Sequence, residues 1–128
     1  MIEIFYKKDG QMMLSQSEAD FSIIPHEDVI WIDLFSPSGE EKRATEAFLG
    51  TTIQNRAQAE EIEISSRFSE TEHAIFANTS FLIPGPEEYT EETVSFILTD
   101  HILTTLRECP LKSFTDLQRR IMAYPKIY

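Results

Sequence analysis

The residues of this chain best suited to chemistry are carboxylates. Between positions 60 and 92 stand Glu60, Glu61, Glu63, Glu70, Glu72, Glu87, Glu88, Glu91 and Glu92, opposed only by Arg67. Side chains of one sign crowd together against mutual repulsion. A hard divalent cation such as magnesium or calcium, which takes oxygen ligands, is one agent that removes that cost. The competing reading is a solvated face, the commonest use of a glutamate run on a loop or helix end.

Other reactive side chains lack the partners that catalysis needs. The chain has no G-x-S-x-G, no glycine-rich phosphate loop and no H-E-x-x-H, and its four glycines leave little material for a phosphate cradle. His26, His73 and His101 are scattered, one before a strand, one inside a strand and one in a hairpin turn. Cys109 sits beside Pro110 with no histidine adjacent in sequence, which reads as a buried, inert thiol. The sequence offers no catalytic constellation, so the expectation is a protein that performs no covalent chemistry.

The elements that must position these groups follow from hydrophobic periodicity. Ile2, Ile4 and Tyr6 alternate with Glu3 and Phe5, Lys7 to Gly10 supplies turn chemistry, and Met12-Met13-Leu14 returns, so the chain opens with a hairpin. Ser15 to Asp20 is a loop or weak helix. Val29 to Phe35 is a nearly continuous apolar run with one carboxylate, Asp33, as expected of a central strand covered on both faces.

Ser38 and Glu41 have capping-box spacing and start a helix whose buried face is Ala44, Ala47 and Phe48, with Gly50 as the left-handed stop. A second short helix is expected from about Ile53 to Glu60. Period two then governs Arg67 to Ile83, with Ile75, Ala77, Thr79, Phe81 and Ile83 on one face and Phe76 and Leu82 opposite. Pro84-Gly85-Pro86 breaks that strand ahead of an acidic loop. Val94 to Arg107 forms a second hairpin about Thr99-Asp100-His101. A last helix after Pro110 buries Phe114, Leu117 and Ile121, and Tyr124-Pro125 ends or kinks it. Hairpins with helices in the middle and at the end give an α+β (mixed α/β) domain, its sheet mixed but largely antiparallel, with flanking helices.

Bulk properties narrow the function further. The 128 residues are 41% hydrophobic and 26% charged, which suits a single globular domain over residues 1–128. The formal net charge of -11 argues against nucleic acid as a partner and favours cations. One cysteine permits no intrachain disulfide, and Met1 leads into a strand rather than a secretory signal, so a cytoplasmic setting is expected. Every apolar run falls well short of the about 20 residues a spanning helix requires, so no direct membrane contact is expected.

Against this background several blocks stand out. They are Trp31-Ile32-Asp33-Leu34 with Pro37, then Glu61-Ile62-Glu63 to Ser66-Arg67-Phe68, Val94-Ser95-Phe96-Ile97-Leu98, Leu103 to Arg107, and Arg119-Arg120-Ile121. In order and spacing, from Ile30 to Tyr124, they resemble the amino-terminal cytoplasmic domain of the CorA magnesium transporter family.

The resemblance implies a homopentameric magnesium channel, passing cobalt or nickel in some members, whose cytoplasmic funnel senses magnesium at the inner face of the membrane. The family's Gly-Met-Asn tripeptide, stalk helix and two membrane helices have no counterpart here, which implies a piece of a longer protein that lacks the pore. In some members acidic residues after the second short helix bind magnesium together with carboxylates on a neighbour's stalk. The matching positions are Glu60 and Glu61, where the family often has an Asp. Arg67 reads as a structural residue. A stand-alone soluble interaction module with the same fold, and a small enzyme using His101 or the glutamates, are the rival readings.

Overall fold

The computed structural model describes residues 1–51, 53, 68–70 and 74–124. Among these residues seven strands and two α-helices follow one another as β1 (Ile2–Lys8), β2 (Gln11–Ser15), β3 (Val29–Phe35), α1 (Gly39–Leu49), β4 (Phe68–Glu70), β5 (Ile75–Pro84), β6 (Tyr89–Thr99), β7 (Ile102–Arg107) and α2 (Lys112–Ala123). Short 3₁₀ turns at Glu18–Ser22 and His26–Asp28 carry the chain from β2 to β3. The expected helix from Ile53 to Glu60, apart from the buried Ile53 itself, and the start of the long strand at Arg67 lie outside the described residues.

One sheet holds all the strands in the order β2-β1-β3-β7-β6-β5-β4. Only the β3–β7 contact is parallel; every other pair is antiparallel. This is the mixed, largely antiparallel α+β architecture that the hairpin-rich sequence implies. The first hairpin turns through Asp9 and Gly10, both at positive φ (53° and 77°), as a two-residue turn with a right-handed strand twist requires. The run from Val29 to Phe35 is indeed central, third from one edge, with residues of both faces buried. A bulge at Ile30 shifts the β1–β3 register between Phe5 and Tyr6, so that Phe5 faces Trp31 while Tyr6 faces Val29.

Each face of the sheet has its own core. On one side Ile2, Ile4, Val29, Ile32, Leu34, Phe76, Ile97 and Ile102 pack with Phe48 and Leu49 of α1 and with Phe21. On the other, Phe5, Met12, Trp31 and Val94 pack beneath Leu111, Phe114 and Ile121 of α2 and its entry.

The start of α1 follows expectation: Ser38 Oγ accepts from the Glu41 amide, and the Glu41 carboxylate accepts from the Ser38 amide, at 3.1 and 2.9 Å. Gly50 ends it at φ 75°. Its buried face differs from the expected one. Thr45 is fully buried and Ala47 is exposed. The hydroxyl of Thr45 donates to the Glu41 carbonyl at 2.8 Å, which lets a polar residue occupy the core position.

The stripe of α2 is also rotated from expectation. Phe114 and Ile121 are buried, whereas Leu117 is 37% exposed. Gln118 takes the inward place, for a reason found in the sheet below it.

Candidate functional site

Beneath α2 the sheet carries a polar cluster in an otherwise apolar layer. The register aligns Glu3 of β1 with Asp33 of β3, and Asp33 with Thr105 of β7, so the three side chains share a row on the α2 side. Asp33 is 1% exposed and Arg107, two residues beyond Thr105, 6%. Burying a charge is costly unless it is paired and fully hydrogen-bonded, and here the pairing is extensive.

Arg107 Nη2 donates to Asp33 Oδ2 at 2.8 Å, and Nε lies 3.2 and 3.3 Å from Oδ1 and Oδ2. Thr105 Oγ1 donates to Oδ1 at 2.9 Å while accepting from Trp31 Nε1 at 2.9 Å. Gln118 of α2 reaches down to donate to Oδ2 at 3.2 Å. Arg107 Nη1 donates to the Cys109 carbonyl at 2.8 Å, and the guanidinium lies over the rings of Phe35 and Phe114, 4.6 and 5.1 Å from their centres. Gln118 is therefore turned inward by a carboxylate that apolar periodicity could not reveal, and Leu117 is displaced to the flank.

This hub ties β3, β7 and α2 together and leaves Asp33 no open face for a reaction. Glu3, partly exposed at its margin, keeps its proton more readily than an ordinary carboxyl: burial is the main cause and the Asp33 charge adds to it, against Arg107 and a hydrogen bond from Gln118. It also lines an open cavity of about 470 Å³ between β1, β2 and α2, with Leu14, Arg119 and Met122.

The sequence-derived candidates are distributed differently. Glu60 and Glu61, together with Glu63, Arg67, Glu72 and His73, lie outside the described residues. Among the described residues no three side chains of His, Cys, Asp and Glu are grouped to hold a metal ion. Glu87, Glu88, Glu91 and Glu92 lie on the β5–β6 hairpin.

His26 and His101, distant in sequence, meet at one end of the domain. Their rings are edge-on with centres 5.8 Å apart, and His101 Nε2 donates to the His26 carbonyl at 3.2 Å. Cys109 is half-buried, and burial, aided by Glu92 and Glu108 against Arg107, pushes its thiol pKa up. That is the direction of an inert rather than a nucleophilic cysteine.

Fold and hub thus define a seven-stranded mixed-sheet domain whose buried charges hold its own layers together. No protein-family model matches the chain. It is 33% identical over 133 residues to the magnesium transport protein CorA of Wolinella succinogenes, a match that covers 98% of this chain and 41% of that protein. It is 30% identical over 115 residues to CorA of Salmonella typhimurium, covering 89% of this chain and 35% of the relative. The chain therefore spans roughly two fifths of the length of these curated relatives.

Its fold matches the soluble domain of CorA from Methanocaldococcus jannaschii with a TM-score of 0.65 at 17% identity, over 94% of this chain and 46% of that one. The complete CorA magnesium transporter of the same organism gives 0.67 at 15% identity, over 98% and 38%. The chain belongs to the CorA family, as a counterpart of the amino-terminal soluble domain. Among the described residues no helix is long and apolar enough to cross a membrane.

Proposed function

We propose that this chain is the cytoplasmic, magnesium-sensing domain of a CorA-like transporter of magnesium, with cobalt as a further cargo. The observation that carries the reading is the 33% identity to a magnesium transport protein along 98% of the chain. The domain performs no covalent chemistry. It sits at the cytoplasmic face of the inner membrane as one of five copies, and its regulation is a shift between populations. Magnesium bridging acidic surfaces of adjacent copies stabilises a closed, symmetric ring, and loss of the ion lets repulsion loosen it.

Glu60 and Glu61 are this chain's contribution to the sensor. Two carboxylates supply only part of the near-octahedral oxygen shell that magnesium demands, so carboxylates of a neighbouring copy must complete it. On its own the domain then binds magnesium in the millimolar range or more weakly.

The test is calorimetric magnesium titration of this chain and of a longer chain carrying the stalk helix, each beside its Glu60→Ala/Glu61→Ala variant. The longer chain should bind more tightly and lose the gain in the variant. Equal binding by all four proteins would return these glutamates to the solvated face.

A further inference from the structure

We propose that His26 and His101 together bind a first-row transition-metal ion such as zinc or nickel through their imidazole nitrogens. The site is separate from magnesium sensing, because magnesium takes oxygen ligands whereas imidazole suits zinc, copper and nickel.

Topology brings the two side chains together. His26 opens the short turn His26–Asp28 that leads into β3. His101 lies in the tight turn that closes Thr99 on Ile102 and leads into β7, beside Asp100 at φ 48°. Strands β3 and β7 run parallel with Trp31 opposite Leu103, so the segments just ahead of them lie side by side at one end of the sheet. Val29 and Ile102, the first residue of each strand, are fully buried and fix where those segments begin.

His101 is oriented as a metal ligand would be. Its Nε2 donates at 3.2 Å to the His26 carbonyl, an oxygen that also accepts from the Val29 amide. A carbonyl only accepts, so Nε2 carries the proton and the neutral ring keeps its lone pair on Nδ1. Histidines that bind metal characteristically donate their second ring N–H to a carbonyl or carboxylate, which fixes the tautomer and aims the ring. Here the backbone of the partner histidine supplies that acceptor. His26 is half-buried, its ring 5.0 Å from that of Phe48, which is in turn stacked on Phe21 at 4.4 Å. Packing therefore sets one ring and a hydrogen bond sets the other.

Their separation suits a shared ion. The ring centres are 5.8 Å apart, with the planes at 86°. Two imidazoles that each hold one ion at about 2.0–2.1 Å have centres on the order of 5–6 Å apart, whatever the angle between their planes. The edge-on contact is thus already at the spacing of a chelate. His101 is exposed, which opens the pair to ions from solvent. Glu27, Asp28 and Asp100, their neighbours in sequence, add to the negative charge that draws a cation in.

The test is calorimetric titration of the full chain with zinc chloride in excess magnesium chloride, which occupies oxygen-ligand sites. His26→Asn and His101→Asn should each weaken zinc binding at least about tenfold, or about 1.4 kcal/mol. The double variant should fall little further, since one imidazole alone is no chelate. Glu60→Ala/Glu61→Ala should leave zinc affinity unchanged, so that this site and the magnesium sensor stand or fall separately. Nitrogen NMR of the histidine rings supplies a readout that folding alone would not move: zinc should shift His101 Nδ1 while Nε2 keeps its proton. Trp31 fluorescence confirms that each variant is folded. Unchanged zinc affinity in either histidine variant, its loss in the Glu60/Glu61 variant, or zinc on His101 Nε2 would overturn the proposal.

Discussion

Replacing Arg107 by methionine should be among the most damaging single changes in this protein. Arg107→Met keeps most of the side-chain length beneath Phe114 but strips Asp33 of its counter-charge and of its Nη2 and Nε donors. Asp33 is 1% exposed, so water cannot take their place, and among the described residues the side-chain donors left to it are Thr105 and Gln118. Removing one partner of a buried ion pair costs about 3–5 kcal/mol. Against a total stability of about 5–15 kcal/mol for an ordinary domain, that is a large fraction.

Asp33→Asn should be costly for the mirrored reason, since an amide NH₂ can face the guanidinium donors. The double variant Asp33→Asn/Arg107→Met should lose less than the sum of the two, with a coupling of about 1–3 kcal/mol. Urea unfolding reports this directly through Trp31, the one tryptophan, whose indole donates to Thr105 inside the cluster. An Arg107→Met cost below about 1 kcal/mol, or strictly additive losses, would show that the cluster is solvated or rearranges freely, against the burial argued here.

Further outcomes follow from the same structure. Trp31→Ala, at a site 3% exposed and stacked on Phe5 at 5.1 Å, should cost about 3–5 kcal/mol in the same urea assay. Ser38→Ala breaks the capping box of α1 and should cost about 1 kcal/mol in thermal unfolding; an unchanged midpoint would show that the cap contributes nothing. Because the folded state raises the pKa of Glu3, the native form holds this proton more tightly than the unfolded chain. Its contribution to stability is therefore greatest at low pH and declines as pH rises from the ordinary carboxylate range through the raised value. Glu3→Gln should flatten that decline in urea titrations taken across mildly acidic pH, and a steeper slope in the variant would contradict the assignment. Sedimentation should find the isolated chain monomeric or weakly associated at micromolar concentration, as a net charge of -11 disfavours close assembly.

Most of the fold could be read from local signals, because those signals are local physics. Asp9-Gly10, Ser38 with Glu41, and Gly50 each meet a backbone requirement set within a few residues, and each lies where the sequence places it. The run around Trp31 identified a central strand since only burial on both faces tolerates so little polarity.

Side-chain facing on the helices was less legible. Thr45 is buried through a bond to its own helix, and Gln118 is drawn inward by Asp33, a partner 85 residues away. Nothing local distinguishes such a polar residue from a wet one. Asp33 stood out as the one carboxylate of an apolar run and Arg107 as the end of a family block, but their pairing across 74 residues needs the register of β3 on β7. The meeting of His26 with His101 was hidden for the same reason. For Glu60 and Glu61, sequence resemblance carries the whole assignment.

The lone parallel pairing also has a consequence for the order of assembly. Strands β1 to β3 form one antiparallel unit and β5 to β7 another, each closed largely by short turns. Among the described strands the backbone pairing that joins the two is β3 on β7, a contact that must close a far longer loop. The seam between them is thus expected to close late in folding. Asp33 and Arg107 sit on that seam and join its two sides. Such a late-formed clasp acts chiefly on how slowly the native sheet comes apart, and little on how fast it forms.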